Sequence, residues 1–181
     1  FMKTPLRIAI AGVGTVGGGV LKALQARGGE LAERAERRLD VVAISAREQQ
    51  KQRAVSVSDY RWESDPVALA KSDADVVVEL IGGEEGVARE LVEASLLAGK
   101  HVVTANKALL AHHGARLAKM AEDRGLALKF EAAAAGGIPI VKALRESLIA
   151  HGIVSVTGIL NGTCNYIRTN MEKTKRPFAE V

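Results

Sequence analysis

The 181-residue sequence predicts an α/β protein built on a doubly wound parallel sheet, and three observations predict it. Apolar runs of strand length alternate repeatedly with stretches of helical periodicity. Most of the runs give way to glycines or small polar residues. The first is followed at once by glycines at 12, 14 and 17, in the spacing G-x-G-x-x-G. Repeated alternation implies right-handed crossovers between parallel strands, which places any ligand along the strands' carboxyl ends.

Leu6 to Ala11 is the first strand, and Val20, Leu21 and Leu24 begin the apolar face of the first helix. Between them, Gly12 permits a sharp turn, Gly14 lets backbone approach a pyrophosphate and Gly17 lets helix and strand pack closely. With Val13, Thr15 and Val16 they form a phosphate turn facing the positive end of a helix dipole. Gly28 and Gly29 break the pattern, and a short charged helix is expected from Glu30 to Arg38. The second strand is residues 40–46, and weak alternation over 54–63 reads as a short edge strand. Ser64 or Asp65 caps a short helix with Pro66 at its first position, running to Ala70. Residues 75–81 form a near-continuous apolar run of the kind a central parallel strand requires. Gly82 and Gly83 end it, and a helix follows over 84–98. Gly99 closes that helix, 101–105 is the next strand, a long helix covers 108–124, and 126–132 is the last strand of a Rossmann-type sheet. A helix is expected over 139–150, a strand over 153–160, and a helix from Asn161 to near Lys173.

The loops at the strands' carboxyl ends form one expected site. Ser45, Ala46 and Arg47 stand where an Asp or Glu would meet an NAD ribose. Asp40 lies at the wrong end of its strand to serve. Arg47, with Lys51 and Arg53 nearby, suits a 2′-phosphate, which favours NADP and leaves NAD possible; the alternative is a solvated polar loop. Lys107 falls at a helix N-terminus, where the dipole disfavours a cation, so its position points to an anion or a polarised carbonyl. Glu131 stands where a strand becomes the small-residue loop AAAAGGIP, and reads equally as a cap or as a ligand.

Composition narrows the function classes. The net charge is only +4 and aromatics make up 3%, so neither a basic nucleic-acid patch nor a base-stacking surface is expected. In GGELAERAERRLD the charges alternate, with Glu30 and Arg34, and Glu33 and Arg37, at i,i+4 spacing, as on a solvated helix face. No apolar run is long enough to cross a bilayer, so no membrane role is expected. The single cysteine, Cys164, excludes an intrachain disulfide framework and fits a reducing cytoplasm. It is read as a buried structural cysteine rather than a thiol nucleophile, since no histidine is placed beside it as a base. His112 and His113 are adjacent on a helix and make a poor metal pair.

Five segments carry a resemblance: IAGVGTVGGGV at 10–20, VVELIGG at 77–83, AGKHVVTANKALLA at 98–111, FEAAAAGGIPIV at 130–141 and GILNGTCNYI at 158–167. In this order they resemble the amino-terminal part of the homoserine dehydrogenases. The resemblance implies NAD(P)-dependent interconversion of L-homoserine and L-aspartate 4-semialdehyde, on the route to threonine and methionine. It implies that Gly12 to Gly17 form the phosphate turn and that Thr104 and Asn106 line the nicotinamide side. Lys107 is implied to lie near cofactor and substrate. Glu131, Ala134, Gly136 and Ile138 are implied to hold a monovalent cation, usually sodium, largely through backbone carbonyls, a role suited to hard oxygen ligands. Residues 1–135 are then the dinucleotide-binding domain. Residues 136–181 begin a substrate and dimerisation domain, and the partner is a second copy in a homodimer. Lys175 stands where a glycine is more usual. An aspartate and a lysine that the family uses for substrate binding and proton transfer belong to a later segment, so cofactor binding without turnover is the expectation. A related semialdehyde dehydrogenase, or a non-catalytic dinucleotide sensor, would share the phosphate turn but not the joint TANKALLA and NGTCNYI segments.

Overall fold

The computed structural model describes residues 3–158 and 162–180, and the chain divides into two compact units, Phe1–Val141 and Lys142–Val181. In the first, β1 (Lys3–Ala11), α1 (Thr15–Ala35), β2 (Arg37–Ser45), β3 (Arg61–Glu63), a 3-10 helix (Pro66–Lys71), β4 (Val76–Glu79), α2 (Val87–Leu97), β5 (His101–Thr104), α3 (Lys107–Glu122) and β6 (Leu128–Lys129) follow in order. All strand pairs are parallel, and the sheet order is β3-β2-β1-β4-β5-β6. The chain winds outward from β1 in one direction and returns through β4 in the other. A topological switch point therefore falls between β1 and β4, where the carboxyl ends of the strands diverge into a crevice.

Side-chain alternation along β1 explains why both faces are covered. Ile8 and Ile10 pack with Leu21 of α1, Ile44 and Val55 on one face. Ala9 and Ala11 pack with Leu69, Ala70, Val77 and Leu91 on the other, under the 3-10 helix and α2. Val92 and Leu96 of α2 continue that face into Leu109 and Leu117 of α3, over Val102 and Leu128. Alanine rather than isoleucine on the second face leaves room for the 3-10 helix and α2 to approach the sheet.

Several expectations are corrected. The break expected at Gly28 and Gly29 falls one residue earlier: α1 is two helical stretches joined across a non-helical Arg27 (φ −126°, ψ 19°), and the second, charged stretch ends at Ala35 rather than Arg38. A Cβ on either glycine would meet nothing within 4 Å, so no packing forces a break there. The helix ends where Glu36 takes a left-handed conformation, φ 53°, and β2 begins at Arg37, earlier than residue 40. Arg37 therefore does not pair with Glu33. Its guanidinium donates to the carbonyls of Thr4 (3.0 Å) and Pro5 (3.2 Å), while Glu30 and Arg34 do pair at 3.0 Å. Asp65, not Ser64, caps the 3-10 helix through the amide of Val67 (2.9 Å). α2 begins only at Val87, because Gly82, Gly83 and Gly86 hold positive φ and carry the chain through an extended loop.

In the second unit a helical turn over Ala143–Ser147 follows α4 (Ile140–Lys142), and α5 spans Gly162–Thr174. The expected strand over 153–160 is not formed in its described part: 153–158 are unpaired and exposed, because no neighbouring strand among the described residues supplies hydrogen bonds. Residues 159–161 lie outside the described residues, and the helix expected from Asn161 to near Lys173 is α5, described from Gly162 to Thr174. α5 is followed by Lys175 at φ 56°, a conformation that explains why glycine suits this position better than lysine. Cys164 is exposed on α5, not buried, because none of the described residues of this unit is buried.

Candidate dinucleotide site

The turn after β1 is shaped by two glycines that cannot be replaced and one that faces open space. Gly12 has φ 95°, and a Cβ there would stand 2.5 Å from the carbonyl oxygen of Leu80, at the exit of β4. A Cβ on Gly17 would stand 1.9 Å from the carbonyl oxygen of Gly12. Around Gly14 nothing lies within 4 Å. The amide of Gly12 donates to the carbonyl of Ser45 (2.8 Å) and that of Leu80 to Ala11 (2.8 Å), which locks the turn to both neighbouring strands. Val13 is buried and anchors it from below, while Gly14, Thr15 and Val16 are exposed.

No side chain caps α1, and no acid lies in its first turn. Its first ladder bond runs from the amide of Gly18 to the carbonyl of Gly14 (2.8 Å), so the amides before Gly18 have no helical acceptor. Uncapped amides beside a Cβ-free backbone fit a pyrophosphate both in charge and in steric access.

At the end of β2, Arg47 is exposed, with no side-chain partner among the described residues. Arg53 is committed elsewhere. Its guanidinium donates to the carbonyls of Val13 (3.3 Å), Gln49 (3.0 Å), Lys51 (2.8 Å) and Glu48, and lies over the Trp62 ring at 5.3 Å. It latches the β2–β3 loop to the phosphate turn, a role that its position beside other cations concealed.

At the other side of the crevice the last sheet row runs Ser45, Ala11, Glu79, Thr104 in register, and all four are fully buried. The Ser45 hydroxyl has no partner among the described residues. One carboxylate oxygen of Glu79 accepts from the amides of Ile81 (2.8 Å) and Gly82 (3.0 Å); the other accepts from the Thr104 hydroxyl (2.5 Å). Thr104 Oγ1 in turn accepts from the amide of Asn106 (2.9 Å). Asn106 Nδ2 donates to the carbonyl of Gly83 (2.6 Å), and its Oδ1 caps α3 by accepting from Leu109 (3.1 Å). Thr104 and Asn106 thus meet at one place, joined by Glu79, which residue patterning did not single out. The signal was present, as the only ionisable residue inside the apolar run VVVELI.

Lys107 is the first residue of α3 and is exposed. Glu131 opens a single 3-10 turn, and its Oε1 accepts from the amide of Val141 (3.0 Å), so it bridges the ends of the small-residue loop. Within that loop Ala135 (φ 46°) and Gly137 (φ 84°) take left-handed conformations, which turn successive carbonyls to different sides. Ala134 is half-buried, and Gly136 and Ile138 are exposed. The donors on offer are oxygens, and no cluster of three or more His, Cys, Asp or Glu suited to a metal occurs among the described residues. His113 instead contacts Glu85, Nε2 to Oε1 at 2.7 Å. A shallow depression bordered by Leu24, Gln25, Arg38 and Tyr60 lies along the amino-terminal half of β2, away from the phosphate turn. No helix among the described residues is long and apolar enough to cross a membrane.

A six-stranded parallel sheet in this order, with an uncapped glycine turn at its switch point, defines the Rossmann-type class of dinucleotide-binding folds. The model of the homoserine dehydrogenase NAD-binding domain matches residues 12–131, and that of the homoserine dehydrogenase family proper matches 139–181. The chain belongs to the homoserine dehydrogenase family. It is 44% identical to the homoserine dehydrogenase of Neisseria gonorrhoeae over 98% of its own length and 40% of that protein's. With the homoserine dehydrogenase of Corynebacterium glutamicum it shares 45% identity, over 96% and 39%. The crystal structure of a homoserine dehydrogenase from Thiobacillus denitrificans superposes with a TM-score of 0.90 at 42% identity, covering 99% of this chain and 42% of that one. The chain thus spans about two fifths of the length of the relatives it matches.

Proposed function

We propose that this chain is the dinucleotide-binding part of an enzyme that interconverts L-homoserine and L-aspartate 4-semialdehyde in the cytoplasm, on the route to threonine and methionine. The supporting observation is the open, uncapped turn at Gly14, which lies at the switch point of a sheet belonging to this family. Residues 1–135 form the dinucleotide domain, and 136–181 begin a domain that completes the substrate site and pairs with a second copy.

The nicotinamide, when bound, exchanges a hydride with the carbon that bears the substrate oxygen. The chain's residues bind and orient it. The amides from Gly14 to Gly17 hold the pyrophosphate, with Val13 beneath the turn and Thr15 and Val16 at its rim. Arg47, exposed and without a competing partner among the described residues, meets the 2′-phosphate and makes NADP the preferred form over NAD. Thr104 and Asn106 line the nicotinamide end by fixing the loops around it. Lys107 presents a cation to the substrate oxygen and stabilises negative charge developing there. Glu131 and the carbonyls of Ala134, Gly136 and Ile138 hold a monovalent cation; oxygen donors suit a hard ion, and the family resemblance implies sodium.

The test is a fluorescence titration of the 181-residue chain with NADPH and NADH, with homoserine oxidation assayed in the same preparation. NADPH is expected to bind more tightly, and Arg47→Ser to lose about tenfold in NADPH affinity while leaving NADH unchanged. Equal loss of both forms would remove Arg47 from the 2′-phosphate. Turnover is not expected; its appearance would mean that Lys107 or another residue of this chain supplies the proton transfer.

A further inference from the structure

Glu79 is a fully buried carboxylate at the carboxyl end of the central strand β4, and no cation pairs with it among the described residues. Its three bonds come from two amides and a hydroxyl, all neutral, so its charge is spread but not cancelled. Tying the β4 and β5 loops together takes an acceptor at both side-chain oxygens, which Glu supplies and Gln, with one acceptor and a donor, does not. The same choice places a buried carboxylate, unpaired among the described residues, at the carboxyl end of the central strand.

We propose that Glu79 is a positioning residue that also acts electrostatically. It sets the loops at the nicotinamide end and holds a fixed negative charge that favours the oxidised, positively charged ring over the neutral reduced one. The inference rests on the dinucleotide reading above. Its geometric support is the register Ala11, Glu79, Thr104 along the last row of the sheet, with Glu79 bonded to the very loop, residues 81–83, that Asn106 also binds. Lys107 opposes this charge from the same end, but it is exposed, so water and salt screen it more strongly than they screen a buried group. The buried charge therefore dominates the difference between the two redox forms.

Dissociation constants for NADP+ and NADPH are measured on the 181-residue chain and on Glu79→Gln, which keeps volume and removes the charge. The expected result is a loss of about tenfold in NADP+ affinity with NADPH changed little, while Glu79→Asp, which keeps the charge, weakens both forms together. Equal loss of both forms in Glu79→Gln, or no loss, overturns the electrostatic role. If Glu79→Gln does not fold, the wild-type chain carries the test: NADP+ must bind more tightly than the same nucleotide lacking its nicotinamide ring, and equal or weaker binding overturns the proposal. Tight binding of the ringless nucleotide with no gain from the ring overturns this inference alone. No binding of any of the three nucleotides overturns the dinucleotide reading and this inference with it.

Discussion

Gly17 and Gly14 differ by three positions and by what a methyl group would meet. At Gly17 it would overlap the carbonyl oxygen of Gly12, backbone that is itself locked to Ser45, so neither partner can yield without opening the turn. Gly17→Ala is expected to cost about 3 kcal/mol or more, read as a large fall in melting temperature. At Gly14 the methyl group enters open space at an ordinary φ of −77°. Gly14→Ala should hold stability to within about 1 kcal/mol, yet weaken NADPH binding, because the new atom lies where the pyrophosphate approaches. Unchanged NADPH affinity in Gly14→Ala would show that the space is not the ligand's. Spacing alone announced these three glycines, since each is required by local backbone geometry. It did not announce Arg53 or Glu79, whose partners lie up to 40 residues away in sequence and become visible only when the strands are aligned.

At the scale of elements, helices and strands that bury a face were legible, because periodicity records burial: β1, β4, β5 and α3 lie within a few residues of where apolar patterning puts them. Legibility failed where propensity competed with packing. Two glycines in α1 mark a break to within one residue, at Arg27, but not the length of the charged stretch beyond it, which Glu36 ends early by turning left-handed. The apolar alternation over 153–158 read as a strand, but alternation supplies only side chains, and a strand also needs a partner's backbone. The α2–α3 surface illustrates a link that patterning cannot record. Glu85, ahead of α2, accepts from Arg89 Nη1 (2.7 Å) and contacts His113 of α3, while Glu93 of α2 bonds Arg89 and Arg116 of α3. The Arg89 bond, then that of His113, lowers the Glu85 pKa below its ordinary value of 4.5. A carboxylate with a lowered folded-state pKa adds stability that is present above the unfolded value and lost as pH falls through the folded one. The melting temperature of Glu85→Gln should therefore lie slightly below wild type at neutral pH, and the gap should close in acid, below the lowered value. A gap that persists there would assign the effect to packing instead.

Across the molecule, the two units differ in what excludes water from their backbone hydrogen bonds. The sheet of the first is covered on both faces, with Ile10, Leu21, Leu91 and Leu117 fully buried. The second has helical hydrogen bonds in α5 but no buried residue among those described, and it presents Ile149, Val154, Tyr166 and Phe178 at 65% exposure or more. A single helix of 13 residues without tertiary cover is marginal in water, because nucleation cost is offset only by packing of an apolar face. Hydrogen exchange on the 181-residue chain is expected to divide along this line, with amides of β1, β4 and α3 protected for hours and those of α5 exchanging within minutes. Apolar side chains at that exposure also favour self-association, so any protection of α5 should rise with protein concentration. Protection of α5 equal to that of β1 and independent of concentration would mean that the second unit has a core of its own, and that its apolar residues are covered without a partner.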